Sequence, residues 1–244
     1  MYRLKCAEVW GGIKDEELDV CAPGLTLSLF SSACEGGKGG DVYFCSVCRG
    51  DRVTRVVVAD VAGHGTAVSA IGRWVHDELV KGMDDPVLAN LLAELNSRVV
   101  RRGLRAMTTA VALSYDVVER HLEYGYAGHP PILIRHAGAW MDLSPAPDGG
   151  CRNLPLGVEP ACSYQTFETS VASGDMLLLY TDGVLEAPSP DGTLFTAERL
   201  RELLGDAATA SPDILKSKLL ATLRGWTGGR LDHDDVTFLV IEVA

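Results

Sequence analysis

No apolar run in this sequence is longer than a strand. The longest, such as Met176–Tyr180 and Val236–Ile241, stop where a buried strand would stop. A helix that crosses a bilayer needs about 20 apolar residues, and the chain has no candidate for one. Strand-like segments follow one another instead: Leu4–Trp10, Leu25–Ala33, Asp41–Cys48, Arg52–Val61, Thr108–Tyr115, His121–Ala127, Ile132–Arg135, Trp140–Leu143, Ser163–Thr169, Met176–Tyr180 and Val236–Val243. The turn Arg49-Gly50-Asp51-Arg52 is spaced to close a hairpin. Helical periodicity falls at 66–82, 86–101, 196–204 and 212–225. In the first helix Ala67, Ile71, Trp74 and Val75 share a side, with Thr66 as N-cap. In the second, Leu88, Leu91, Leu92, Leu95 and Val99 recur at helical spacing, with Pro86 in the first turn. Strands with helix pairs inserted, and no regular βαβ alternation, predict an α+β fold with antiparallel sheets. No linker divides the chain, so residues 1–244 are expected to form one domain.

The loops are marked by glycine and proline. Glu35-Gly36-Gly37-Lys38-Gly39-Gly40 holds four glycines in six residues and is expected to be a flexible or left-handed turn. Residues 144–160 read as a long surface loop. With 47% hydrophobic and 23% charged residues the chain is globular rather than disordered. Its net charge of -11 argues against nucleic-acid binding. It also means that an anionic substrate would need a metal or a basic patch. Arg98, Arg101, Arg102 and Arg105 form one basic cluster. They suit a helix C-terminus, and the alternative is a docking patch for an acidic partner. An odd seven cysteines and no apolar leader after Met1 point to free thiols in the cytoplasm, without secretion. Cys45 and Cys48 lie three apart on a strand and face opposite sides, a poor arrangement for a disulfide or a shared metal.

Four aspartates stand out by position. Asp41 opens a strand after Gly39-Gly40, and Asp60 ends Val56-Val57-Val58-Ala59. Asp182 follows Leu177-Leu178-Leu179-Tyr180-Thr181, and Asp234 precedes the last strand. Each could be a turn or cap residue. Gathered at one rim of a sheet, they would repel one another unless a cation neutralised them. An all-oxygen set suits Mg²⁺ or Mn²⁺, and a carboxylate-held metal pair serves phosphoryl chemistry.

Six segments then stand in a recognisable order: Gly39-Gly40-Asp41-Val42-Tyr43, Ala59-Asp60-Val61-Ala62-Gly63-His64-Gly65, Ala127-Gly128-His129-Pro130-Pro131, Leu154-Pro155-Leu156-Gly157-Val158, Tyr180-Thr181-Asp182-Gly183-Val184-Leu185-Glu186 and Asp234-Asp235-Val236-Thr237. Over about residues 25–243 the series resembles the metal-dependent protein phosphatases of type 2C, and more closely their bacterial SpoIIE-like branch of stress and sporulation regulators. The resemblance implies a two-layer β-sandwich flanked by helices, with two Mn²⁺ or Mg²⁺ ions at one end. It implies that Asp60 bridges the ions, that Asp41 serves one, that Asp182 and Asp234 serve the other, and that the Val61 carbonyl is a further ligand. Asp235 would be a neighbour of the site. His64 is read first as a structural residue of its turn, with proton donation as its candidate catalytic role, and His129 as structural. The arginine that holds phosphate in eukaryotic relatives has no counterpart here, and the nearest basic residue is Lys38.

The implied function is hydrolysis of phosphoserine or phosphothreonine on a bacterial regulator, such as an anti-sigma antagonist, by metal-activated water. The rivals are a non-catalytic partner-binding module on the same fold and a hydrolase of small phosphate esters. About 24 residues precede the matched region, so a signal is expected from another molecule. The helices over 66–101 follow the Asp60 strand directly, and an activating protein or a second copy of the chain is expected to act there. No nucleic acid or membrane is expected as a partner.

Overall fold

The computed structural model describes residues 2–34, 36–63, 66–143, 153–206 and 210–244, with backbone only for Thr66 and Ala67. Two sheets stack face to face. The first runs β1 (Tyr2–Arg3), β3 (Glu16–Ala22), β4 (Leu25–Ser32), β13 (Val236–Val243), β12 (Met176–Tyr180), β9 (Ile132–His136) and β10 (Ala139–Leu143). The second runs β11 (Thr166–Ser170), β8 (His121–Ala127), β7 (Thr108–Asp116), β6 (Val53–Val61), β5 (Lys38–Cys48) and β2 (Val9–Lys14). Neighbours are antiparallel except β1 and β3. Helices α1 (Thr66–Lys81) and α2 (Leu88–Arg102) cover the second sheet, and α3 (Thr196–Gly205) and α4 (Pro212–Trp226) cover the first.

Strand periodicity explains the layers. On β5 and β6, Tyr43, Cys45, Val56 and Val58 face Leu27, Leu29, Leu177, Leu179 and Leu239 of the other sheet. The alternate residues Val42, Phe44, Val57 and Ala59 pack under Val75, Leu79, Leu92 and Leu95 of the helices. Strands buried on both faces read as unbroken apolar runs. The outer face of the first sheet, with Leu178, Tyr180, Phe238 and Val240, is closed by Leu200, Leu204, Leu215 and Leu219. The α+β sandwich expected from the sequence is the fold found.

Several local expectations are corrected. Leu4–Trp10 is not a strand: residues 5–8 turn, with Glu8 N–H donating to the Lys5 carbonyl at 3.0 Å, and the strand begins at Val9. The acidic strand Glu16–Ala22 was not expected. Gly36 and Gly37 adopt positive φ as expected, but Lys38, Gly39 and Gly40 already belong to β5. The second helix starts at Leu88, capped by extended Val87, so Pro86 precedes the cap; the Asp85 carboxylate accepts the Val87 N–H at 2.8 Å. The Thr66 cap lies outside the described side chains. Of the long loop, 144–152 lie outside the described residues. The remainder is tied down, because Leu156 is buried and exchanges backbone bonds with Thr108 at 2.8 and 3.1 Å. Cys45 and Cys48 are free thiols. No described helix is long and apolar enough to cross a membrane.

Arg55 is a buried charge far along β6 from Asp60. Its guanidinium donates to the Asp85 carbonyl at 2.6 Å, to the Gly82 and Met83 carbonyls at 3.4 Å and to Ser114 Oγ at 3.2 Å. It therefore braces the turn over 82–85 that follows α1. Arg55→Leu should cost about 2–4 kcal/mol, because the bonds that tie the turn over 82–85 and Ser114 to β6 are lost together. Arg55→Lys should recover less than half, since one ammonium cannot span the fork. Denaturant melts of both variants check this; a Leu variant as stable as the parent would exclude the anchoring role.

Candidate metal and catalytic site

The β5–β6 hairpin sets Asp41 directly opposite Asp60, and opposite residues on antiparallel strands project to the same side. Both follow the inward-facing series, so both carboxylates enter the space between the sheets at its open end. On the other sheet, β12 ends at Tyr180, and Asp182 begins a single 3-10 turn, Asp182–Val184. Asp234 stands just before β13, its carboxylate accepting the Asp235 N–H at 2.8 Å. Asp60, Asp182 and Asp234 line one pocket of about 190 Å³ with Ala62, Gly63, Met107 and Thr109.

The other expected residues lie around this pocket rather than on its wall. Asp41 is buried beneath it and accepts a hydrogen bond from Thr181 Oγ1 at 2.9 Å. Thr237 N–H donates to Thr181 Oγ1 at 3.1 Å, and the Ser31 and Thr237 hydroxyls meet at 2.8 Å. Val61 is buried with its carbonyl toward Gly40, 3.0 Å from where a side chain there would begin. Lys38 is exposed opposite Lys14 and does not line the pocket. His64 lies outside the described residues. His129 bonds Thr109 Oγ1 through Nδ1 at 2.8 Å, and burial drives its pKa down to about 3, so it is neutral and braces a wall residue.

Asp235 holds the parts together. Its carboxylate accepts the Cys34 N–H at 2.9 Å and the Gly40 N–H at 2.5 Å. A Cβ on Gly39 would sit 2.2 Å from its Oδ2, and one on Gly183 would sit 2.1 Å from its carbonyl oxygen. Only glycine fits at either place. Sequence reasoning missed Thr181, Thr237, Thr109 and Met107. The first two stood inside the quoted motifs beside the aspartates; the other two carried no signal of their own.

Residues 50–244 match the model of the family described as Stage II sporulation protein E (SpoIIE). The chain belongs to the SpoIIE family. It is 28% identical over 200 residues to the phosphoserine phosphatase RsbP of Bacillus subtilis, covering 77% of this chain and 45% of that protein. The chain thus spans about half the length of this relative. Among solved structures it is similar to the RsbU and RsbW domains of Mycobacterium tuberculosis Rv1364c, with TM-score 0.77 and 25% identity over 91% of this chain and 60% of the other. It shares its fold with the PP2C phosphatase domain and regulatory fragment of Bacillus subtilis SpoIIE, with TM-score 0.73 and 19% identity over 98% and 64% of the two chains.

The electrostatics of this SpoIIE-family pocket test whether it suits cations. Burial, then the charges of Asp182, Asp234, Asp235 and Glu186, push Asp60 up to about 8. Burial and the Asp60 charge raise Asp41 well above the usual carboxylate range, against hydrogen bonds from Thr237 and Thr181. Burial raises Asp182 too, with Glu186 and Asp234 adding to it. Among the described residues no lysine or arginine lines the pocket. As the side chains stand, no three acidic, histidine or cysteine groups among the described residues close around one ion. The donor chemistry nevertheless fits hard divalent cations: oxygen atoms only, and a repulsion that such charge would remove.

The raised pKa values give a stability signature. Between the ordinary carboxyl value of 3.8 and about 8, Asp60 is protonated when folded and ionised when unfolded. The unfolded chain then binds fewer protons, so stability in chelator falls as pH rises through that window. Asp60→Asn removes the buried charge. It should raise the melting temperature in chelator at pH 8 by about 2 °C or more, and should lose most of any upward shift that Mn²⁺ gives the parent. A residue that merely caps its turn would instead lose about 1 kcal/mol. Thermal melts with and without Mn²⁺ at pH 5 and pH 8 separate the two.

Proposed function

We propose that this chain is a metal-dependent serine/threonine protein phosphatase. The observation that carries the reading is the convergence of Asp60, Asp182 and Asp234 on one open pocket with no cationic side chain among the described residues, in a chain of the SpoIIE family. The phosphoserine phosphatase named among its relatives supports the same chemistry. Asp60 would be shared by two ions, Asp41 would serve one and Asp182 and Asp234 the other, and the Val61 carbonyl would be a further ligand. Bound there, Mn²⁺ or Mg²⁺ would supply Lewis acidity for a phosphate dianion and for water. The chain's own residues hold the arrangement. Thr181 and Thr237 orient Asp41, Asp235 fixes the start of β5, and Met107 and Thr109 wall the pocket. His64 is the candidate proton donor. The site, its cover and the core are parts of one domain.

The substrate is a phosphorylated regulator protein of the anti-sigma antagonist kind, met in the cytoplasm. Gly63 lines the pocket and α1 begins three residues on. An activating protein or a second copy of the chain that moves α1 and α2 therefore acts on the pocket wall.

The test is turnover of p-nitrophenyl phosphate and of a phosphoserine peptide. Both should be hydrolysed in Mn²⁺ and not in chelator. Asp60→Asn should lower turnover by about 10³-fold or more, on the scale of losing a main electrostatic group. Val61→Ala should keep most of it, because every residue has a carbonyl. Full turnover in a metal-stripped sample, or near-normal turnover by folded Asp60→Asn, would overturn the reading.

A further inference from the structure

We propose that the end of α2, the 3-10 turn Leu104–Ala106 and the loop at Val158 form the docking surface for the phosphoprotein, and that this partner presents acidic side chains around one apolar residue. The inference rests on the phosphatase reading and names the kind of protein that the pocket serves. Leu104 is 77% exposed, the highest value among the exposed large apolar side chains of the described residues, and Val158 is 43% exposed. Arg101, Arg102 and Arg105 beside them are exposed, and none makes an ion pair among the described residues. Arg101 reaches Ser97 Oγ at 2.7 Å, and Arg102 lies over the Trp74 ring at 4.5 Å. Arg98, one turn back, is turned to Glu78 and Glu94 instead. The helix dipole accounts for arginines in the last turn of α2. It does not account for Arg105, which stands beyond the helix, or for an apolar Leu104 held out in water.

The surface borders the pocket. Met107 is a pocket wall, and Arg105 is two residues before it, so their Cα atoms are at most about 8 Å apart. Gly157 packs on the same residue, its Cβ position 3.6 Å from the Met107 Cα. The shelf is also built before any partner arrives. The buried Asn96 side chain accepts the Gly157 N–H at 2.8 Å and donates to the Glu159 carbonyl at 3.0 Å. Gly157 has φ +90°, and a Cβ there would lie 2.6 Å from Val99. Thr108 Oγ1 donates to the Ala106 carbonyl at 2.8 Å, and the Met107 N–H donates to the Leu104 carbonyl at 3.1 Å. A preordered surface loses little entropy on binding. Three arginines without an ion pair among the described residues, on a chain of net charge -11, select an acidic partner and orient it. The acidic pocket beside them would repel the same partner everywhere but at its phosphate, once cations are present.

Two labelled phosphoserine peptides of equal length test this, one flanked by Asp, Glu and Leu and the other by Lys and Ser. Binding is read by anisotropy and hydrolysis by phosphate release, in Mn²⁺, beside p-nitrophenyl phosphate. The acidic peptide should be preferred about tenfold or more in kcat/KM at low salt, mostly through KM, and less at 0.5 M NaCl. Arg101→Glu with Arg105→Glu should erase the preference, and Leu104→Ser should lower it severalfold, with p-nitrophenyl phosphate turnover within about twofold of the parent. No preference in the parent, while p-nitrophenyl phosphate is hydrolysed, overturns the docking surface and leaves the phosphatase reading standing. Selective binding of the acidic peptide with no turnover of any ester does the reverse. Equally tight binding of single-stranded DNA would make the shelf a general polyanion site and overturn the proposal.

Discussion

The Asp235 carboxylate ties the end of β4 to the start of β5. One oxygen takes the amide at Gly40, where β5 begins, and the other takes the amide at Cys34, just after β4. Its own backbone carbonyl lies against Gly183, in the turn that carries Asp182. His233 adds a fourth tie by meeting the Gly183 carbonyl at 2.8 Å. Charge-assisted bonds to backbone amides are among the stronger ones available to a carboxylate. Here they set Asp41, Asp182 and Asp234 relative to one another across the two sheets. The glycines of Gly39-Gly40-Asp41 and Asp182-Gly183 follow from this contact, since any side chain at 39 or 183 would displace Asp235.

The same end of the sandwich is where the fold is least content. Asp41 and Asp60 face each other on adjacent strands, and burial raises both. A scaffold optimised only for stability would place hydroxyls or apolar groups there, as it does two residues along each strand on the same face, at Tyr43 and Val58. Proteins commonly give up stability at functional sites and recover it elsewhere. In this chain the recovery comes from strands packed on both faces, from the hydroxyl chain of Ser31, Thr237 and Thr181, and from Arg55 bracing the turn after α1.

What was legible in the sequence depended on how far the cause of each element reached. β5, β6, β7 and β13 are defined by their own alternation and apolar content, and their ends fell within a residue or three of expectation. The helices were legible from their apolar faces. The strand Val9–Lys14 was not, because Gly11 and Gly12 give no strand signal and owe their extended form to close packing on Tyr43. Glu16–Ala22 hid behind its charges, which only an edge-near strand with a wet face tolerates. For the site, the aspartates could be found in one dimension, but their division could not. Asp60, Asp182 and Asp234 reach the pocket while Asp41 lies under it, and this depends on the depth at which β5 enters the sandwich. Thr109 and Met107 became site residues only because β7 begins beside β6.

That start of β7 ties recognition to chemistry in one short stretch of chain. From Leu104 to Thr109 the backbone passes from the proposed docking shelf, through a 3-10 turn, to the pocket wall. Every step is pinned. Met107 donates back to Leu104 and accepts from Ala62, and Thr108 exchanges bonds with Leu156. A partner seated on Leu104 and Arg105 therefore presses on the residues that border Asp60, with no flexible link between them. Opposite charges can stand this close because they belong to different surfaces of the segment. The arginines point into water, where screening limits their reach to about 8–10 Å, while the aspartates sit in the low-dielectric space between the sheets. An arginine moved inward by two positions, to Met107, would enter the pocket and neutralise it in place of the cations. The separation of the basic shelf from the acidic pocket along these six residues thus leaves the arginines free for a partner without neutralising the carboxylates of the pocket.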